Sequence, residues 1–380
     1  MYPDLSYVFH DLIGTPTDNW LSIFKTYGLF LVLAVLSAAV ILQAELRRKS
    51  REGLLLPHTE TLTEGGPATR NEYISALIWG FVLGFKLPYI ALHFPDFQQD
   101  AAGVLFSLKG VWWAGALGAV AYPAYLWFSR RNSKAVTRSA EVFPHDRIGE
   151  ITIIAAVSGV VGAKVFSILE EPQQFFNDPA GTLFSGAGLT IYGGLIFGFV
   201  AVWLYLRKKQ IPVAHVMDAV APALIVAYGV GRLGCHFSGD GDWGIAAGAQ
   251  PDWWFLPDWL WSMDYPRNII NSGVAMDVCD GRYCRRLAEP VFPTSIYEAV
   301  MAFGIGGILW ALRKRVKIPA MLFFIYLIFN GTERFLIEKI RVNERYDALG
   351  FHFTQAELIA VLIFTAGVAG TLWLALKTKR

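Results

Sequence analysis

The chain has 380 residues, 54% of them hydrophobic and 14% aromatic, with 17% charged side chains, a net charge of +2 and a mean hydropathy of +0.41. A soluble chain of this size carries about 25% charge. That excludes a soluble globular protein, and the near-zero net charge conveys nothing beside its uneven distribution.

The first residues, MYPDLSYVFHDLIG, lack a positive stretch before an apolar run, so no cleaved signal peptide is expected. A run that crosses ~30 Å of hydrocarbon needs about 20 residues, and the first candidate covers roughly 24–45. It ends at the basic cluster Arg47 to Arg51. A polar segment with Pro57, Thr59 to Thr63 and Gly65-Gly66-Pro67 follows and reads as a cytoplasmic loop. Further candidates cover roughly 73–94 and 107–129, then roughly 148–169 and 188–206. The set closes with roughly 214–231, 294–312, 319–338 and 355–376. The basic runs Arg130 to Lys134, Arg207 to Lys209, Arg313 to Lys317 and the terminal KTKR fall on the same side as the first. Lys and Arg are retained in the cytoplasm, so the chain is expected to be an all-α polytopic membrane protein of about nine spans. Its N-terminus is then outside, its C-terminus cytoplasmic, and residues 232–292 form an extended outer loop. The whole of 1–380 reads as one integral-membrane domain in a bacterial inner membrane.

Ionisable residues at membrane depth cost about 2.5–3.5 kcal/mol each on insertion scales and are candidates for function. One group is GRLGCHFSGDGDWG, from Gly231 to Gly244. Arg232 stands between glycines where the helix is expected to break, and Gly234, Gly239, Gly241 and Gly244 let backbone approach a ligand. Asp240 and Asp242 add carboxylates beside His236. The plainer reading is a helix end with Arg232 reaching toward lipid phosphate. The second group, FNGTERFLIEKIRVNERYD, sets Asn330, Arg334, Glu338 and Arg341 on one helical face. Arg334 and Glu338 can pair there, which leaves Arg341 for an anion; the plainer reading is a structural ion pair. A guanidinium fork suits phosphate, so two arginine groups at the outer leaflet point to a phosphate-bearing lipid headgroup.

Metal-ligand spacings, phosphate-binding loops and nucleophile elbows are absent from the sequence, so no metal and no cofactor are expected. Nucleic acid is no partner for outward-facing loops. The segment PDWWFLPDWLWSMDY reads as an interfacial aromatic belt or as a rim that guides lipid or a substrate helix. Cys279 and Cys284 share one outer loop, where an oxidising compartment favours a disulfide. A channel or transporter would use the same intramembrane charges. No internal repeat supports that alternative.

The chain also resembles bacterial prolipoprotein diacylglyceryl transferase in seven collinear segments. These are TYGLFLVLAVL at Thr26, Gly149 to Gly181, IYGGLIFGFVAVWLYLRKK at Ile191, the signature ending at Gly244, FPTSIYEAV at Phe292, NGTERFLIEKIRVN, and FTQAEL at Phe353. The resemblance implies transfer of diacylglyceryl from phosphatidylglycerol to the lipobox cysteine thiol of a preprolipoprotein, with release of glycerol phosphate. Its partners are then phosphatidylglycerol, preprolipoprotein signal peptides and membrane lipids. Arg232 and Arg334 match the family's phosphate-handling arginines and Tyr27 its first-span tyrosine. Asp240 falls near the signature's acidic residue, Gly244 at its closing glycine, and Glu298 and Glu338 at its other carboxylates. Gly193 and Gly194 match its Gly-Gly pair. Three departures stand out. Tyr192 occupies the position of the histidine before Gly-Gly, Cys235 that of an asparagine, and residues 70–130 look like two inserted spans. The signature is also one residue longer, which leaves Asp240 and Asp242 as alternatives. The catalytic base is therefore open between His236, Asp240 and a thiol that ionises unaided. A relative with altered or lost activity is the second enzyme reading.

Overall fold

At membrane depth, backbone N–H and C=O groups must pair within their own segment, so long apolar runs fold as helices. The computed structural model describes residues 1–99, 101–184, 190–343, 345–348 and 351–378. Among them lie ten helices of nine or more residues: α1 (Leu5–Ile13), α2 (Thr26–Arg51), α3 (Arg70–Leu92), α4 (Trp112–Arg130), α5 (Ile148–Glu170), α6 (Ile191–Lys208), α7 (Val213–Ser238), α8 (Thr294–Leu312), α9 (Met321–Glu338) and α10 (Gln355–Thr378). Six segments are long and apolar enough to cross a membrane: Thr26–Arg51, Arg70–Leu92, Pro144–Glu170, Val213–Ser238, Thr294–Leu312 and Gln355–Thr378. The protein is thus a mostly helical, multi-pass membrane protein. Helix α9 falls outside the six because Glu333, Arg334 and Glu338 interrupt its apolar run. Residues 188 and 189, expected to open the fifth span, lie outside the described residues.

The chain divides into two compact units, Met1–Leu55 with Gln210–Arg380, and Leu56–Lys209. The division falls at neither end of the expected insertion, residues 70–130. In the second unit α3 packs on α4 and α5 on α6. Strand β1 (His58–Glu64) pairs antiparallel with β2 (Val136–Val142). Both strands come from segments expected to be loops. Glu60 of β1 accepts from Arg147 at 2.7 Å and Lys209 at 3.0 Å, and these contacts pull its carboxyl down to about 2.

In the first unit α7 packs against α2, α8 and α9, and α9 packs against α10. Of the apolar window in α7, 44% is buried, against 11% in α10, so α7 is the central helix of this unit. Its Ile225 packs on Ala302, Ile305 and Leu309 of α8 and Leu322 of α9. The same helix starts α9: the Asp218 carboxylate accepts from Ala320 N at 2.9 Å and Phe323 N at 3.2 Å, satisfying N–H groups that a helix start leaves open. Leu31, Val32, Leu33, Leu36 and Val40 of α2 remain exposed, as a lipid-facing flank requires.

The outer loop begins later than expected. Helix α7 continues through Arg232 to Ser238 and closes at Gly239, whose φ of +63° permits the left-handed cap with its N–H on Cys235 O at 3.0 Å. Arg232 does not break the helix, because carboxylates from the following loop and from α8 meet it. Beyond α7 lie two short ribbons, β3 (Val274–Ala275) with β4 (Arg285–Arg286) and β5 (Arg345–Ala348) with β6 (Phe351–Thr354).

Candidate functional site

Three helix ends of the first unit converge: the C-terminus of α7, the N-terminus of α8 and the C-terminus of α9. This end is opposite the basic last turn of α2, where Arg48 and Arg313 pair with the buried Glu45 at 2.9 and 2.7 Å. At the convergence Glu298, on the second turn of α8, has no exposed surface. It meets Arg232 Nε at 3.1 Å, Arg334 Nη1 at 3.2 Å and Arg341 Nη1 at 3.4 Å, and it accepts from the Tyr228 hydroxyl at 3.1 Å. A buried carboxylate with one partner would be costly; three guanidiniums around it offset the burial of its charge.

Asp242 is the second carboxylate of the cluster. It pairs with Arg232 and accepts from Arg341 Nη2 at 2.7 Å. Burial raises its carboxyl, but the Arg232 and Arg341 guanidiniums outweigh burial and hold it below the ordinary carboxylate range. The loop that carries it is pinned, because Thr294 and Ser295 hydroxyls donate to Asp242 O at 3.2 and 3.0 Å. Glu338 is the third: it meets Arg334 Nη2 at 3.1 Å and accepts from Thr354 Oγ1 at 2.8 Å. Three guanidiniums therefore face three carboxylates.

Arg341 is thus not the free cation that helical spacing implied; the chain turns after α9 and brings it back onto Asp242 and Glu298. One of its donors is nonetheless open. Its buried Nε has no hydrogen-bond partner among the described residues. Asp240 takes a different position from Asp242. It accepts from Asp242 N at 3.1 Å, and burial, its largest influence, raises its carboxyl above the ordinary range. Cys235 Sγ lies 3.9 Å from both Arg232 Nη1 and Asp242 Oδ2. Tyr27, on the first turn of α2, is within electrostatic reach of Arg232, Cys235, Asp240 and Asp242.

Other expected residues stand apart from this cluster. His236 is buried among Phe237, Trp259 and Tyr265, and its Nδ1 lies 3.4 Å from the Tyr265 hydroxyl. That is an aromatic-cage position rather than an ion-pair position. Gly193 and Gly194 lie in the second unit on α6, where a Cβ on Gly193 would come 2.3 Å from Gly162 O of α5. Their smallness lets α5 and α6 come close. Tyr192 is half-buried on the first turn of the same helix. Asn330 lies one turn before Arg334, half-buried, with no side-chain hydrogen bond among the described residues. Gly244 is tightly constrained: it forms an antiparallel bridge to Arg341, and a Cβ there would lie 2.6 Å from Ile340 O. Sequence reading missed Tyr228 and Glu333. Glu333 Oε1 lies 3.4 Å from the Tyr228 hydroxyl, and the signal was a carboxylate beside Arg334 on an apolar helix.

Cys235, Asp240 and Asp242 offer three ligand atoms within 4.8 Å of one another. Two guanidiniums already neutralise Asp242, which suits an anion-facing role better than a cation site. In the outer loop Cys279 and Cys284 are joined by a disulfide, with their Cα atoms 5.6 Å apart. The loop is tied to the first residues of the chain: Tyr283 N donates to the Tyr7 hydroxyl at 3.2 Å and Arg282 N to Asp18 at 2.7 Å.

Helices that cross a membrane, with a buried cluster of guanidiniums and carboxylates at one end, define an integral-membrane protein with an ion-pair network in its interior. A family model described as prolipoprotein diacylglyceryl transferase matches residues 103–373. Relatives named phosphatidylglycerol–prolipoprotein diacylglyceryl transferase agree with it. That of Corynebacterium efficiens is 29% identical over 273 residues, which cover 68% of this chain and 79% of the relative. That of Bifidobacterium adolescentis is 31% identical over 234 residues, 59% of this chain and 64% of the relative. That of Dehalococcoides mccartyi is 24% identical over 279 residues, 72% and 93% of the two chains. The chain belongs to the prolipoprotein diacylglyceryl transferase family.

Proposed function

We propose that this chain transfers diacylglyceryl from phosphatidylglycerol to the lipobox cysteine thiol of preprolipoproteins. The observation that carries this reading is the arrangement of Arg232, Arg334 and Arg341 around the fully buried Glu298, with Arg341 Nε unpartnered among the described residues. A buried donor without an acceptor costs about 1–3 kcal/mol, more when charged, and a phosphate oxygen placed there would recover it.

In the reaction the substrate sulfur forms a bond to the glyceryl carbon, and the carbon–oxygen bond to phosphate breaks. The electron pair leaves on a phosphate oxygen, so charge grows where the guanidiniums already stand. Preorganised donors of this kind contribute several kcal/mol because they need not reorganise. The thiol proton goes to a carboxylate, and Asp240 fits that role better than Asp242 or His236. Its raised affinity for a proton suits a base that works near neutral pH, whereas Asp242 is committed to two guanidiniums. Glu298, Glu338 and Asp242 hold the guanidiniums in place. Tyr27, Asn330, Gly239 and Gly244 shape the lipid site.

The fuller topology belongs to the same proposal. Helices α4, α6 and α9 cross the bilayer with the six apolar segments, giving nine spans with the N-terminus outside. Residues 70–130 are a two-helix insertion, and the membrane is the bacterial inner membrane. Phosphatidylglycerol and preprolipoprotein signal peptides reach the site from the outer leaflet. Complementation tests the function: the gene expressed in cells depleted of their own transferase should restore growth and diacylglyceryl-modified lipoprotein. Stable, membrane-inserted protein that restores neither would refute it.

A further inference from the structure

Glu333 is a buried carboxyl that the proposed reaction does not use. It sits on α9, 3% exposed, one residue before Arg334 and beside the balanced cluster. It forms no ion pair among the described residues, and its Oε2 has no hydrogen-bond partner among them. Among the described residues its one hydrogen-bonding contact is the Tyr228 hydroxyl of α7, 3.4 Å from Oε1. The same hydroxyl lies 3.1 Å from Glu298 Oε1.

A phenol carries one hydrogen and can donate it once. Glu298 is ion-paired with Arg232, Arg334 and Arg341, and it holds the shorter of the two contacts, so the phenol proton goes there. Glu333 then faces the lone pairs of the phenol oxygen. Two acceptors cannot bond, so the contact is a hydrogen bond only when Glu333 brings the proton.

Charge counting points the same way. Arg232, Arg334 and Arg341 are matched by Asp242, Glu298 and Glu338. Asp240, working as a carboxylate, already adds one negative charge beside these pairs, so an ionised Glu333 would add a second, and an anionic headgroup would then enter against both. The groups facing Glu333 are Tyr228 and Arg232 from α7, Glu298 from α8, and Tyr326 and Arg334 from its own helix. The carboxylate that α10 contributes, Glu357, is paired with Lys339.

We propose that Glu333 is a charge-regulating positioning residue: held as the neutral acid on the Tyr228 oxygen, it keeps the cluster able to admit an anionic headgroup, and its ionisation expels that headgroup. This rests on the reading of the cluster as the phosphatidylglycerol site. By linkage, headgroup and proton then bind together, each raising the affinity for the other.

The test uses the full-length protein in nanodiscs, with short-chain phosphatidylglycerol and a lipobox peptide, from neutral to alkaline pH. In the wild type, KM for the lipid should rise roughly tenfold per pH unit once Glu333 ionises, as for any one-proton event, while kcat changes little. In Glu333→Gln, whose amide can donate to the same phenol oxygen, that rise should vanish. Glu333→Leu serves if the amide variant does not fold, with the same expectation. A variant that keeps the wild-type rise in KM overturns the proposal. So does a Gln variant whose kcat collapses at neutral pH with KM unaltered, because the carboxylate would then act ionised in the chemistry. Direct binding of the lipid separates the two readings: a wild type that binds with this pH dependence yet transfers nothing refutes the assigned reaction and supports the charge-regulating role.

Discussion

Arg341 Nη2 donates to Asp242 Oδ1 at 2.7 Å, and the two side chains meet because their backbones are bridged beside them, Gly244 against Arg341. The loop after α7 and the turn after α9, a hundred residues apart in sequence, therefore form one wall of the cluster.

That bridge needs a glycine. A Cβ at residue 244 would lie 2.6 Å from Ile340 O and 2.8 Å from Thr294 Cγ2, both in structure that cannot retreat. Gly244→Ala is expected to cost about 1–3 kcal/mol of stability, typical of overpacking, and to separate Arg341 from Asp242. Transfer should fall at least roughly tenfold, since about 1.4 kcal/mol is a decade in rate. Thermal unfolding in detergent and transfer assays read the two effects.

Arg232→Ala and Arg334→Ala should each lower transfer by about 100-fold or more while the protein still inserts and folds, the loss seen when one preorganised donor is removed. Lysine at either position should rescue only in part, because a point charge replaces a bidentate fork. Near-normal turnover of either alanine variant in nanodiscs would contradict the assignment.

The acidic limb of the pH profile should belong to Asp240. A base works as its carboxylate, so the rate falls as pH drops through its pKa, and burial places that limb above the ordinary carboxylate range. Asp240→Asn should slow transfer by about 100-fold or more and flatten the limb. A variant of His236 that flattens it instead would move the base into the aromatic cage.

The Cys279–Cys284 bridge should appear as two unlabelled residues in mass spectra of protein alkylated without reductant. A five-residue separation closes a small loop, so serine at either position should cost about 2 kcal/mol. The loss should loosen the Tyr7–Tyr283 contact, which hydrogen exchange at Tyr283 N would register.

Apolar runs made six of the nine expected spans legible, because length and composition decide whether a segment can cross a bilayer. Arg232 and Arg334 were legible as charges that a membrane interior does not tolerate alone, and Glu298 only through the family resemblance. The pairing was not. Whether Asp240 or Asp242 meets Arg232 depends on the left-handed turns at Gly239 and Gly241, which no spacing rule encodes. Arg341 looked free because helical periodicity was extended past Glu338, where the helix ends. Tyr228 resembles any tyrosine in an apolar span until Glu298 and Glu333 are brought to its hydroxyl from two other helices. The ribbon of β1 and β2 escaped notice because HTETLTE alternates without an apolar face.

The distribution of the cluster over three helices bears on biosynthesis. Arg334 and Glu338 share one helix, four residues apart, and can enter the bilayer as a compensated pair. Arg232 and Glu298 are on different helices, and each arrives at the translocon without its counterion. A lone ionic residue at that depth costs about 2.5–3.5 kcal/mol on insertion scales, so α7 and α8 each gain by waiting for the other before release into lipid. The pair that anchors the guanidinium cluster thus also sets an order of arrival, and a single substitution at Glu298 is expected to register first as a fault of assembly.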